Sequence, residues 1–272
     1  METIVFGGSF DPPHEAHLRL LAAGLKARPK ARAVVMPAWR SPLKGLPAAP
    51  AGDRLAMTAA ALKALPAGLR KRARLDDWEL KRGRVTYSYE TLRRLKAAMP
   101  SGRLTFLAGA DSWAGLPRWR RPDEVARLCG FLVGRRPGAP PPRPAAGLPP
   151  LEVLPGTFPD LSSTVLRARL TLGEVPSELP AAVRSAGRRL YGSALRARLE
   201  RELPGGRYEH TLAVGRMALE LALRHGLCPE RAALAGLLHD CGRAVPVPTM
   251  GAYARARRLD VVAREETAAR AP

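Results

Sequence analysis

The sequence predicts an α/β protein, a mostly parallel sheet with flanking helices, followed by a small all-α domain. Two observations carry this reading. Over residues 1–190, short apolar runs alternate with longer stretches of helical periodicity, the pattern of βαβ units. From Ser193 onward no strand-like run remains, and each patterned segment is helical. A boundary near residue 190 follows, with residues 1–191 as the larger domain and 192–272 as the smaller.

The candidate strands are Thr3–Phe6, Ala33–Met36, Arg74–Trp78, Leu104–Ala108, Phe131–Val133 and Leu151–Leu154. Each is a short run bounded by polar or turn-forming residues. Between them His17–Leu25, Arg54–Leu65, Tyr89–Met99 and Asp123–Leu128 read as helices. Arg136–Pro150, RPGAPPPRPAAGLPP, is proline-rich and predicts an extended surface loop. Helical text resumes at Ser163, and Ala194–Glu202, Tyr208–His225, Pro229–Cys241 and Thr249–Arg258 form the second domain.

Composition narrows the class. An apolar fraction of 46% in 272 residues supports a real core. No run approaches the roughly 20 apolar residues of a bilayer span, and the N-terminus lacks the basic and apolar regions of a signal peptide. Cys129, Cys228 and Cys241 are widely spaced and form neither a CxxC pair nor a disulfide ladder. A cytoplasmic protein with no membrane partner is expected. The net charge of +21 raises nucleic acid as a partner. Against it, the basic residues are spread along the chain and no aromatic-interleaved basic stretch stands out. No nucleic-acid partner is therefore expected. A phosphate-rich small substrate would benefit from the same positive field.

GGSFDPPHEAH, residues 7–17, follows the first strand. Gly7 and Gly8 permit a tight turn and close approach of the backbone to a ligand. A helix begins near His14, and its N-terminus offers free N–H groups and a partial positive charge to a phosphate. His14 and His17, three apart, share a helix face. The stretch is neither a Walker A loop nor GxGxxG. Phosphate binding by the histidines, general-base chemistry on a hydroxyl and a zinc site are the open readings, the last without a third ligand nearby.

GGSFDPPHxxH resembles the first signature of the nucleotidyltransferases with an HxGH motif, with Ala16 where the family has glycine. LSSTVLR, Leu161 to Arg167, resembles their second signature, ISSTxxR. TYSYETL (Thr86 to Leu92), GADSW (Gly109 to Trp113) and LPRWRRPDEV (Leu116 to Val125) are similar to segments of the bacterial nicotinate mononucleotide adenylyltransferases. MPAWRSPLKG (Met36 to Gly45) and DRLAM (Asp53 to Met57) also fit, with Leu43 where histidine is frequent.

The resemblance implies a Rossmann-like doubly wound sheet and transfer of the adenylyl group of ATP to nicotinate mononucleotide. It implies His14, His17, Lys44 and Arg167 as catalytic residues. ATP would be held by Gly7, Gly8, Ser9, Phe10, Asp111, Ser162, Ser163 and Thr164, with Asp111 on a ribose. Thr86, Tyr87, Ser88 and the Arg120 amide would hold the nicotinate carboxylate, and Trp119 would stack on the pyridine ring. Independently of the name, Ser162 or Ser163 can cap a helix, and Arg167 adds a cationic fork for phosphate. Mg²⁺ is expected with ATP. Phosphopantetheine adenylyltransferase, which shares the outer two motifs, and a non-catalytic nucleotide-binding module are the alternatives.

In the second domain His210 in YEHTLAVG and His239-Asp240 in GLLHDCGR form half of an HD-type metal site suited to Fe²⁺ or Mn²⁺. This part resembles the HD-domain diadenosine tetraphosphate hydrolases. No histidine follows Asp240, and Asp260 lies too early to complete the family's set. The segment is therefore expected to be truncated, a remnant or completed elsewhere, and hydrolysis by this chain is not expected.

Overall fold

A computed structural model describes residues 1–43, 45–138, 142–143, 148–203 and 205–257. Two compact units emerge, one comprising Met1–Leu170 and Val175–Tyr191, the other Thr171–Glu174 and the chain from Gly192.

The first unit opens with β1 (Glu2–Gly8), α1 (Glu15–Ala27), β2 (Arg32–Pro37), α2 (Ala51–Leu62), α3 (Ala67–Arg70) and β3 (Ala73–Leu75). It continues with α4 (Trp78–Lys81), α5 (Ser88–Ala98), β4 (Arg103–Gly109), α6 (Ala110–Ala114), a 3₁₀ turn at Leu116–Arg118, α7 (Pro122–Leu128), β5 (Gly130–Arg135), β6 (Leu151–Thr157), α8 (Ser163–Thr171) and α9 (Ala181–Leu190). All neighbouring strands pair in parallel, in the order β3-β2-β1-β4-β5-β6. This is the doubly wound Rossmann-like arrangement.

Both faces of the sheet are covered, so its central strands are near-continuous apolar runs. Successive residues point to opposite faces. Ile4, Phe6, Ala33, Val35 and Leu107 join Leu21 and Leu25 of α1 and Met57 of α2 in one core. Val5, Val34, Met36, Phe106 and Phe131 join Leu92 and Leu95 of α5 in the other. The strand predicted to run to Trp78 ends at Leu75, because Asp76 turns the chain: its Oδ1 accepts the Trp78 N–H at 3.0 Å and α4 starts there.

The fold also gathers basic residues that are scattered in sequence around aromatic rings. Arg82 and Arg94 lie 4.6 and 4.8 Å from the Trp78 ring. Arg93 and Arg121 lie 5.5 and 4.8 Å from that of Tyr89.

The second unit is helical in its described residues: α10 (Ser193–Glu202), α11 (Arg207–Arg224), α12 (Pro229–Leu238), a 3₁₀ turn at Cys241–Ala244 and α13 (Val247–Ala256). The helix predicted over Pro229–Cys241 stops at Leu238, where the His239 ring turns back to the Gly236 carbonyl and Asp240 leads into the 3₁₀ turn. Arg258, in the predicted last helix, and Asp260 lie outside the described residues. The α11–α12 hairpin closes at two glycines. A side chain on Gly236 would place Cβ 2.5 Å from the Gly215 Cα, so only glycine admits the crossing. No helix among the described residues is long and apolar enough to cross a membrane.

Candidate functional site

The strand order reverses between β1 and β4, and ligands of open α/β sheets bind outside the carboxyl ends of the strands at such a switch point. Gly8 ends β1 and Gly109 ends β4, so both motifs that follow these strands face that crevice. A Cβ on Gly8 would come within 3.1 Å of the Phe10 ring, which folds back beneath the loop and is 2% exposed. Phe10 has a φ of 47°, a left-handed conformation disfavoured for a bulky side chain.

His14 caps α1, and Ala16 sits within its first turn. The His14 N–H donates to His17 Nδ1 at 3.2 Å. A neutral His17 therefore carries its proton on Nε2, leaving that nitrogen a donor. The His14 and His17 rings stack with centroids 3.7 Å apart, and Phe10 meets His17 edge-on at 5.1 Å.

The two signatures, about 150 residues apart in sequence, meet here. Ser163 Oγ donates to the Pro12 carbonyl at 3.0 Å, and Arg167 Nη1 donates to the Asp11 carbonyl at 2.6 Å. Arg167 Nη2 also meets Thr164 Oγ1 at 3.3 Å, and Ser162 offers its carbonyl to the Leu166 N–H as α8 begins. The Asp11 carboxylate is buried. It accepts the N–H groups of Ala48 and Ala49 at 2.8 and 3.1 Å and the Tyr191 hydroxyl at 2.7 Å. Burial and the neighbouring Asp11 push the Tyr191 phenol above its ordinary range.

On the other side of the crevice Trp119 is half-buried, 5.5 Å from the Phe106 ring and 6.2 Å from that of Phe131. A Cβ on Gly7 would lie 3.8 Å from Phe106, so one ring links the tryptophan to the β1 loop. Thr86 is buried, and Tyr87 and Ser88 start α5. The Tyr87 N–H is held by Glu90 Oε2 at 2.9 Å, and the Thr86 hydroxyl donates to the Arg84 carbonyl at 3.4 Å. The exposed Arg120 guanidinium lies 4.8 Å over the Tyr87 ring. Asp111, exposed at the start of α6, pairs with Arg136 at 2.8 Å. Leu43 is exposed, and Lys44 lies outside the described residues.

In the second unit His210, His239 and Asp240 place one ligand atom each within 4.8 Å of one another. His239 Nδ1 faces the Gly236 carbonyl at 2.8 Å, and with the proton on Nδ1 the ring keeps Nε2 as its acceptor nitrogen. Two imidazoles and a carboxylate fit a divalent transition metal. Asp240 is also engaged by Arg243 at 2.9 Å and Arg207 at 3.5 Å. Among the described residues this is the one such trio.

Residues 5–169 match the cytidylyltransferase-like family model. The chain is 31% identical over 199 residues to a probable nicotinate-nucleotide adenylyltransferase of Marinobacter nauticus, covering 65% of this chain and 88% of that protein. The chain belongs to the cytidylyltransferase-like family, in its nicotinate-nucleotide adenylyltransferase branch. Residues 207–259 match the HD domain model, so this member of the family joins a nucleotidyltransferase to an HD segment. A probable nicotinate-nucleotide adenylyltransferase/Ap4A hydrolase of Mycoplasma pneumoniae shares that order, with 27% identity over 89% of this chain and 67% of its own length. The solved Plasmodium falciparum nicotinic acid mononucleotide adenylyltransferase complexed with NaAD shares the fold of this nucleotidyltransferase, with a TM-score of 0.52, 17% identity, and coverage of 76% of this chain and 97% of that one.

Sequence reasoning missed Arg54 and Tyr191. Arg54 was visible only as part of DRLAM, and Tyr191 only as the end of a domain. An arginine one turn into an amphipathic helix, on the face that carries Met57 and Ala61, was the available signal.

Proposed function

We propose that this chain transfers the adenylyl group of ATP to nicotinate mononucleotide, giving deamido-NAD and pyrophosphate. The observation that carries this reading is the contact of Ser163 and Arg167 with the Asp11–Pro12 backbone, which joins two phosphate-type motifs at the switch point. In this mechanism the 5′-phosphate of the mononucleotide attacks the α-phosphorus, and pyrophosphate leaves. No side chain acts as nucleophile. The chain supplies positioning and charge stabilisation. His14 and His17 donate to phosphate oxygens. Arg167 and Lys44 neutralise the charge that grows on the leaving group. Gly7, Gly8, Ser9 and Phe10 bring backbone close to the phosphates, and Ser162, Ser163 and Thr164 border the outer ones. Asp111 accepts from a ribose, releasing Arg136 to do so.

Trp119 stacks on the pyridine ring, and Thr86, Ser88 and Arg120 face its carboxylate. Tyr87 contributes its ring beneath Arg120, its N–H being occupied by Glu90. Mg²⁺ bound to the nucleotide phosphates would supply charge neutralisation there. In the HD segment His210, His239 and Asp240 would hold Fe²⁺ or Mn²⁺, which polarises a bound water.

The test is pyrophosphate release with nicotinate and nicotinamide mononucleotides as rival acceptors. A pocket built for a carboxylate leaves polar groups unpaired against an amide, about 2–4 kcal/mol in kcat/KM. Equal values for the two acceptors would defeat the substrate assignment. No pyrophosphate release with either would defeat the reaction.

A further inference from the structure

Arg54 is the most deeply buried arginine among the described residues, at 1% exposure. No carboxylate among them lies within ion-pair distance of it. Its guanidinium is spent on backbone carbonyls. Nε donates to Ala49 at 3.2 Å, Nη1 to Ser9 at 2.8 Å and Ala38 at 2.6 Å, and Nη2 to Trp39 at 2.9 Å. Burial lowers its affinity for the proton, with Asp11 opposing. Burying a cation among neutral dipoles is costly, and an apolar side chain of similar length would fill the space without that cost. The arrangement calls for a reason beyond packing.

The reason lies on the other side of the same peptides. In a planar trans peptide the C=O of one residue and the N–H of the next point in opposite directions. Pulling the Ser9, Ala38 and Trp39 carbonyls toward Arg54 turns the N–H groups of Phe10, Trp39 and Arg40 away from it. Among the described residues these three N–H groups meet no acceptor. The Ser9 anchor also adjoins Phe10, whose left-handed φ of 47° needs its surroundings to hold it. The Phe10 ring in turn backs His17 at 5.1 Å. One residue further, the Asp11 carboxylate is tied by the Tyr191 hydroxyl and by the Ala48 and Ala49 amides, and the Ala49 carbonyl returns to Arg54.

We propose that Arg54 and Tyr191 are positioning residues for the adenylyl transfer inferred above. Together they hold the loop Ser9–Asp11 and the segment after β2 from behind, so that amides and the His17 ring are fixed before nucleotide arrives. Neither touches substrate. Arg54 suits this task because its rigid fork reaches four carbonyls at once, which a lysine cannot.

The test uses the full chain, Arg54→Lys and Tyr191→Phe. Steady-state kinetics are measured well below each variant's melting midpoint, and hydrogen exchange is measured without nucleotide on peptides covering 7–13 and 37–41. Arg54→Lys is expected to lose about 10²-fold in kcat, with KM for the mononucleotide within about threefold. Tyr191→Phe is expected to lose about tenfold. Both should exchange faster in the two loop peptides, with β4 unchanged. A purely structural role would lower the melting midpoint and leave kcat per folded molecule intact. Near-unaltered kcat in folded Arg54→Lys overturns the proposal. If that variant does not fold, Tyr191→Phe decides by the same signs. If the unsubstituted chain makes no product, the functional reading fails by itself, and the exchange data alone judge the brace: unchanged loop exchange overturns it.

Discussion

His17→Ala separates chemistry from folding at the β1–α1 corner. The substitution removes Nε2, which the His14 N–H bond to Nδ1 at 3.2 Å makes the proton-bearing nitrogen of a neutral ring and the donor proposed for a phosphate oxygen. Loss of one preorganised donor to a developing charge costs about 10²–10³ in kcat, or about 3–4 kcal/mol. The same change also removes an acceptor at the helix start and the ring contacts to His14 and Phe10. A lost cap is worth about 1 kcal/mol. Against a typical stability of about 5–15 kcal/mol, that leaves nearly all molecules folded. The expected result is a thermal melt shifted by a few degrees and turnover reduced by two to three orders of magnitude, roughly. Pyrophosphate release at saturating substrates, beside a circular dichroism melt, reads both quantities. A folded His17→Ala chain within about fivefold of the original kcat would refute the reasoning and leave the imidazole as a helix cap only.

Trp119→Ala should raise KM for the mononucleotide about tenfold with a smaller change in kcat, and Trp119→Phe should recover much of it; equal KM values in all three chains would remove the stacking role. Burial pushes the Glu79 carboxyl up to about 7, against an ordinary 4.5, with Thr91 Oγ1 donating to it at 2.6 Å. The folded state then binds the proton more tightly than the unfolded chain, so stability falls as pH rises between those values, by at most about 3 kcal/mol. Melts at pH 5 and 8, roughly covering most of that window, should show a smaller difference in Glu79→Gln, and an unchanged difference would rule the group out. In the HD segment, Mn²⁺ should bind at one site per chain, weakly because Arg243 and Arg207 compete for Asp240. His239→Ala should abolish it, and calorimetric binding that survives would place the metal elsewhere.

Much of the fold was legible because parallel strands buried on both faces are written as continuous apolar runs: TIVF, AVVM and LTFLA each sit at the centre of an observed strand. The strand end at Leu75 was not, since Asp76 acts through its side chain and leaves no periodicity to read. His14, His17, Ser163 and Arg167 could be singled out because each belongs to a short local motif. Their meeting through the Asp11 and Pro12 carbonyls could not be read from residue types, because backbone acceptors carry no sequence signature. The same holds for Arg54, whose partners are all carbonyls. The Arg82–Trp78–Arg94 stack was hidden for another reason: Arg82 is four residues from Trp78, but Arg94 comes from α5 and only folding brings it to the ring.

Thr171–Glu174, the last residue of α8 and the three that follow it, come before α9 in the chain yet pack with the helices after Gly192. Leu172 is fully buried there, over the place where a Gly215 side chain would sit. Arg196 reaches back to the Thr171 carbonyl at 3.0 Å. The second unit is thus discontinuous in sequence, its first four residues preceding α9 of the first. A cut after Tyr191 would not release a clean fragment: it would strip Leu172 of its cover and leave a greasy scar on the longer piece. Exchange of the HD segment by recombination at that seam would likewise carry a mismatched stitch, unless residues 171–174 changed with it.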